Sequence, residues 1–181
     1  MAHTQSSGLI DVLLAEGPAT ELGRELELYG QFVGDWQTDI FAYAPDGSRH
    51  QGQGEIHFDW ILEGRAIQDV WMLPRRGATR ASAPLPVTGN WYGTTVRVYD
   101  ATLAAWRIFW IDPARNSYRQ QIGARVGTDI VQEGTNDDGV LTRWSFTEIT
   151  AESFHWKAEA SMDGGASWRL FVTVLARRVR L

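Results

Sequence analysis

Asp69, Arg97 and Arg143 are charged residues set among alternating apolar and aromatic neighbours, so each reads as a charge aimed into an apolar interior. In FDWILEGRAIQDVWM, two strands joined by a tight turn at Glu63-Gly64 bring Trp60, Phe58 and Ile56 opposite Ile67, Asp69 and Trp71. That face is apolar except for Asp69, while the other carries Glu55, His57, Asp59 and Gln68. The same pairing in YGTTVRVYDATLAAWRIFWIDP sets Tyr99 against Trp106, Arg97 against Ile108 and Thr95 against Trp110. Further along, Ile149 opposite Phe154 places Arg143, Ser145 and Thr147 on one face with Trp156 and Ala158.

Buried charges cost about several kcal/mol per ion unless paired, so these residues either bond one another or meet a polar ligand. As a binding site, Trp71, Tyr99, Trp110 and Trp156 would form an aromatic body. Arg97 and Arg143 would then receive a carboxylate, phosphate or enolate oxygen of a small, largely hydrophobic molecule. As an isomerase, cyclase, dehydratase or lyase working without a cofactor, the chain would use Asp69 as general base. Arg97 or Arg143 would stabilise the developing oxyanion. A third reading is a structural or interaction module, a homodimer burying tryptophans such as Trp144 beside Phe146 across a sheet face.

Other chemistries find less footing. The chain has no cysteine, which removes disulfides, thiolate metal sites and a cysteine nucleophile. Lys157 is the only lysine and so the one candidate for a Schiff base. The four histidines, His3, His50, His57 and His155, include no pair at metal-ligand spacing. A lone strand histidine could hold haem in a ten-stranded barrel of the nitrobindin type, but no local motif supports it. The expectation is no metal and no cofactor. No G-x-S-x-G, phosphate loop or G-x-G-x-x-G stands between a strand and a helix. The arginine clusters, Arg75-Arg76 with Arg80 and Arg177-Arg178 with Arg180, read as solvated surface. The net charge of −5 argues against a nucleic-acid partner.

The elements that must position these residues are mostly strands. Residues 16–33 carry Leu22, Leu26, Leu28, Tyr29 and Phe32 at helical spacing and read as a helix plugging or flanking a sheet. From Gly34 the period becomes alternating. Strands are expected at 36–44, 53–62, 65–73, 91–99, 105–112, 118–126, 128–133, 140–149, 154–161 and 167–177. Pro45-Asp46-Gly47 and Asn136-Asp137-Asp138-Gly139 mark turns, and the stretch from Pro74 to Asn90 is the one long loop. About ten short strands with no helix between them make an all-β, up-and-down antiparallel barrel. Closure removes the exposed edges that a two-sheet sandwich, the competing architecture, would leave. The chain divides into a tail and helix at 1–33 and a barrel at 34–181. Its 181 residues are enough for a sizeable core, and nine tryptophans suit a thick aromatic core or a lined cavity.

The opening residues lack a basic segment, and Asp11 interrupts a short apolar run. No later stretch is long enough to span a bilayer, so a cytoplasmic protein without a membrane partner is expected. The near-absence of lysine among the cations, with abundant alanine and glycine, suits a GC-rich bacterial genome.

Gly34-Asp35-Trp36 on the first strand with Arg177-Arg178 on the last resembles the lipocalin and fatty-acid-binding superfamily. That resemblance implies an indole at the closed end of the barrel beneath an arginine, a cation–π contact joining the first and last strands. SMDGGASW at 161–168 resembles the Asp-box, a hairpin device; a single copy argues against a propeller. Taken with RWSFTEI and the two long stretches quoted above, the chain resembles a bacterial family of lipocalin-like, calycin-type proteins catalogued as a domain of unknown function. The resemblance spans most of the chain from Gly34 onward. It implies the barrel and brings no established activity or site residues with it.

Overall fold

The computed structural model describes residues 8–77 and 90–180; most of the expected 74–90 loop lies outside the described residues. The ten strands are β1 Gly34–Tyr43, β2 Arg49–Ile61, β3 Ala66–Leu73, β4 Trp91–Asp100 and β5 Ala105–Asp112, then β6 Ser117–Val126, β7 Asp129–Thr135, β8 Leu141–Thr147, β9 Ser153–Ser161 and β10 Arg169–Arg178. Each pairs antiparallel with the next, and β1 pairs with β10, so the sheet closes into a barrel. Closure leaves no edge among the named strands, which decides against the sandwich. No helix among the described residues is long and apolar enough to cross a membrane.

Alternation fixes which side chains point inward. Trp36, Ile40, Ile56, Phe58, Ile67, Trp71, Trp106, Ile108, Phe146, Phe154 and Val174 are all nearly or fully buried. The outer face carries ion pairs, among them Arg177 with Asp39 at 2.5 Å and Arg76 with Glu55 at 2.7 Å, which joins one of the expected surface clusters to its neighbour strand.

The N-terminal segment departs from one continuous helix. It forms a short helix α1 at Leu9–Leu13, a 3-10 stretch at Thr20–Leu26 and a single helical turn α2 at Glu27–Gly30. Gly23, at φ 59°, breaks the run. The segment must bend to cover the barrel's closed end: Ala15 N–H bonds the Trp60 carbonyl at 2.9 Å and Ala19 N–H that of Gly64 at 3.0 Å. Leu26, Tyr29 and Phe32 then drop into the barrel, with Phe32 stacked on Phe146 at 4.7 Å and Tyr29 edge-on to Trp106 at 4.9 Å.

The seam between β1 and β10 is held by Arg178, which pairs with Trp36 in register and lies 4.1 Å from its ring centroid. Its guanidinium also donates to the carbonyls of Ala151 at 2.7 Å, Val33 at 2.6 Å and Gln31 at 2.8 Å. Trp36 in turn donates its indole N–H to the Phe32 carbonyl at 2.7 Å. Gly34, at φ 124°, makes room, since a Cβ there would fall 2.7 Å from the Arg178 guanidinium. One side chain therefore ties together the first strand, the last strand, the β8–β9 turn and the N-terminal segment.

At the other end, the β9–β10 turn closes on Asp163. Its Oδ1 accepts from Ser161 Oγ at 2.7 Å and the Ser167 amide at 2.8 Å, and its Oδ2 accepts from Ser167 Oγ at 2.6 Å. These bonds, led by those from Ser167, pull the carboxyl down to about 2.

Two outcomes follow for the fold. Arg178→Gln is expected to lose about 2–4 kcal/mol in urea unfolding, from one cation–π contact and charge-assisted bonds to carbonyls. A loss below about 1 kcal/mol would mean the seam is held by the strand ladder alone. The Asp163 carboxyl is expected to titrate near 2 by NMR. Because its folded value is depressed, its support of the turn is full above the ordinary carboxylate range and fades as pH falls through about 2.

Candidate functional site

Five of the nine tryptophans, Trp71, Trp91, Trp110, Trp144 and Trp156, line one cavity of about 220 Å³. They converge because β3, β4, β5, β8 and β9 each turn an indole inward. Small inward residues of β9, Ala158 and Ala160, leave space beside them, with Ala158 in register with Trp144. Gly93 on β4 has the same effect: a Cβ there would come within 2.5 Å of the Trp110 ring. The rings form a near-continuous surface, with centroids 5.1 Å apart for Trp71 and Trp156, 5.5 Å for Trp144 and Trp156, and 6.1 Å for Trp110 and Trp144. The indole N–H groups of Trp71 and Trp91 are buried and meet no acceptor among the described residues.

Below the cavity, Arg97 and Asp69 form a fully buried ion pair, each 1% exposed. Arg97 donates to Asp69 Oδ2, and Asp69 Oδ1 accepts the backbone N–H of Thr95 at 3.0 Å. The guanidinium lies over the rings of Tyr29 at 5.0 Å, Phe58 at 5.6 Å and Phe146 at 5.8 Å, the aromatic plug of the closed end. Burial pushes the Tyr29 phenol far above its ordinary value, with Arg97 opposing that rise. Arg97 also borders the cavity, while Asp69 does not line it.

Above the cavity stand Arg115, Ser117, Arg119 and Asn136. Arg115 closes the short 3-10 turn Pro113–Arg115 between β5 and β6. Arg119 points inward because it pairs with Trp110 in register. Partial desolvation lowers the Arg115 pKa, buried Asp112 raises it, and the like charge of Arg119 lowers it again. Reading the sequence hairpin by hairpin passes over this pair. Its signal lies in carrying the inward set of β5, Trp106, Ile108, Trp110 and Asp112, across to Ser117, Arg119, Gln121 and Gly123.

The expected site residues are only partly brought together. Trp71, Trp110 and Trp156 line the cavity, and Arg97 borders it. The pairings expected across β2–β3 and β4–β5 are present, including Phe58 with Asp69 and Arg97 with Ile108. Tyr99 stands apart, packed against Trp106 at 5.8 Å and outside the tryptophan cavity.

Arg143 requires a correction. β8 ends at Thr147, which pairs with His155, and Glu148 enters the turn at a left-handed φ of 50°. That shifts the expected register by one residue, which exchanges the faces. Arg143 lies on the outer face, donating to Glu133 at 2.7 Å and resting 3.8 Å over the Trp168 ring. Trp144, expected to face outward, lines the cavity, and Phe146 is fully buried. Among the histidines, His57 bonds Asp35 at 2.6 Å, His155 reaches Glu148 at 3.0 Å and His50 contacts Ser48 at 3.2 Å; none of these borders the cavity.

The site can therefore hold a flat apolar body against indole faces and offer it rim cations. No protein-family model matches the chain, and no curated protein does. Among solved structures it is similar to the S-type phycobiliprotein lyase CPES from Guillardia theta, with a TM-score of 0.59 and 10% identity over 91% of this chain and 99% of that one. It is also similar to Rv2717c from M. tuberculosis, with a TM-score of 0.57 and 11% identity over 86% of this chain and 98% of that one. At such identities the likeness is one of fold alone, the closed antiparallel β-barrel.

Proposed function

We propose that this protein binds a small, largely hydrophobic molecule, flat and bearing an acidic group, inside the tryptophan-lined cavity, and does so in the cytoplasm. The observation that carries the proposal is the lining itself: five indoles around about 220 Å³ of space that the chain leaves unfilled. A core packed only for stability fills its interior, as the rings around Phe32 do at centroid distances of 4.7 and 5.0 Å. Here the indoles stand around space that no side chain enters, which favours an occupant supplied from outside the chain.

Catalysis by Asp69 finds less support. Both its oxygens are engaged by Arg97 and Thr95, and the residue does not border the cavity, so no proton on a bound molecule lies within its reach. Self-association through a sheet face has a different basis from the one expected: Phe109, Ile111, Tyr118 and Ile122 are exposed side by side on the outer face of β5 and β6. Sedimentation at two concentrations checks this, with a species near twice the 20.3 kDa chain mass expected for a dimer.

Native mass spectrometry of freshly purified protein is expected to show an added small-molecule mass that disappears on denaturation. Ala158→Leu, which thickens the cavity wall, is expected to lower its occupancy about fivefold or more, as overpacking costs about 1–3 kcal/mol. Undiminished occupancy in the variant would place the molecule elsewhere. For the ion pair, Asp69→Asn is expected to destabilise the fold by about 3–5 kcal/mol in urea unfolding, because it strands the Arg97 charge. The double change Asp69→Leu with Arg97→Met is expected to recover most of that loss. Equal destabilisation in both would mean the pair itself, and not the stranded charge, supplies the stability.

A further inference from the structure

We infer that the cavity takes a planar aromatic carboxylic acid, its ring body among the tryptophans and its carboxylate at the rim between Arg115 and Arg119. The inference rests on the cavity reading proposed above and adds the ligand's class and orientation.

The polar inventory of the cavity is one-sided. No acidic residue lines it, and its three charged lining residues are arginines. Such a chamber selects acceptors and anions and rejects cations.

The three arginines are not equivalent. Arg97 is already neutralised by Asp69 and held beneath the chamber by aromatic rings. Arg119 donates to the Tyr118 carbonyl and reaches Asp137 only at 3.4 Å, which leaves most of its donors open. Arg115 makes no hydrogen bond and no ion pair among the described residues; Asp112 and Arg119 act on it only through their charge. Two guanidiniums at one apolar opening, one of them without an ion-pair partner among the described residues, form a receptor for a single anion. A carboxylate between them would satisfy a planar fork.

Size and shape narrow the body. The cavity, about 220 Å³, is smaller than the roughly 300–1,000 Å³ clefts that hold drug-sized molecules. Its walls are indole faces, which favour a thin body of about two fused rings in offset or edge contact. A carboxylate attached to such a ring stays in the ring plane, so ring and anion fit one slot. A tetrahedral phosphate would not lie flat between the same faces.

The test is calorimetric titration of the full chain with 2-naphthoate and with 2-naphthylmethanol, its uncharged counterpart. It compares the wild-type protein with the double variant Arg115→Gln, Arg119→Gln. Both arginines stand at the rim, and circular dichroism checks that the variant is folded. The wild type is expected to bind naphthoate about tenfold or more tighter than the alcohol, a difference that falls to near one in the variant. Equal affinity for both ligands in the wild type would overturn the rim assignment while leaving the cavity reading intact. A preference that survives in the variant would also overturn it, and would move the acid to Arg97. Binding of neither ligand would overturn the aromatic-acid assignment, and the cavity reading would then stand or fall on the native mass experiment.

Discussion

A sheet of ten strands is free of unpaired edges only where its first and last strands meet, and here that meeting is fastened by one cation over one indole. The strand ladder alone would align β1 with β10. Arg178 adds contacts that a ladder cannot, reaching carbonyls on both sides of the seam and in the segment that stops the barrel's end. The planar guanidinium suits this role, since it can stack on Trp36 with its face while its edge donates to three carbonyls. The N-terminal segment is thereby held over the closed end, and everything above it inherits a fixed floor.

That floor sorts the interior into two regions of different chemistry. Around Tyr29, Phe32, Phe58, Phe146 and Phe154 the rings meet one another at centroid distances between 4.7 and 6.4 Å, and the space is filled. Above them the indoles stand back from a chamber. Arg97 and Asp69 mark the boundary. Their charges cancel across one buried contact, and the cation faces aromatic rings on its lower side. Such a pair adds little net stability, because desolvating two ions offsets most of their attraction. Its effect is positional: Arg97 can be satisfied only where β3 and β4 hold Asp69 and Thr95 in register.

How far the sequence reveals this depends on the turns. The β2–β3 pairing is legible because Glu63-Gly64 sits at a compact four-residue turn with φ values of 58° and 76°. The β4–β5 pairing is legible because Trp106, Ile108 and Trp110 recur at every second position of β5 and set the inward face that Thr95, Arg97 and Tyr99 must share. The β8–β9 connection gives no such cue: it runs through Thr150 and Ser153, whose side chains satisfy the turn with no glycine to mark it. One residue of doubt there was enough to place Arg143 inside and Trp144 outside, because side chains in a strand change face at each step. The rim arginines are harder still. Arg119 is read correctly only by following register through β5, and Arg115 sits on a turn, where alternation says nothing. The bend at Gly23 is invisible to a periodicity that matches a helix on either side of it.

The crowding of indoles has an optical consequence. Trp71, Trp91, Trp144 and Trp156 are linked ring to ring at 5.1 to 6.4 Å, and Trp110 joins through Trp144 at 6.1 Å. At such separations their electronic transitions do not act singly, and a photon absorbed by one ring is shared with its neighbours before it is emitted. The ultraviolet emission of this protein therefore belongs to the chamber as a whole, and the dichroism of its indole bands carries the handedness of the barrel wall.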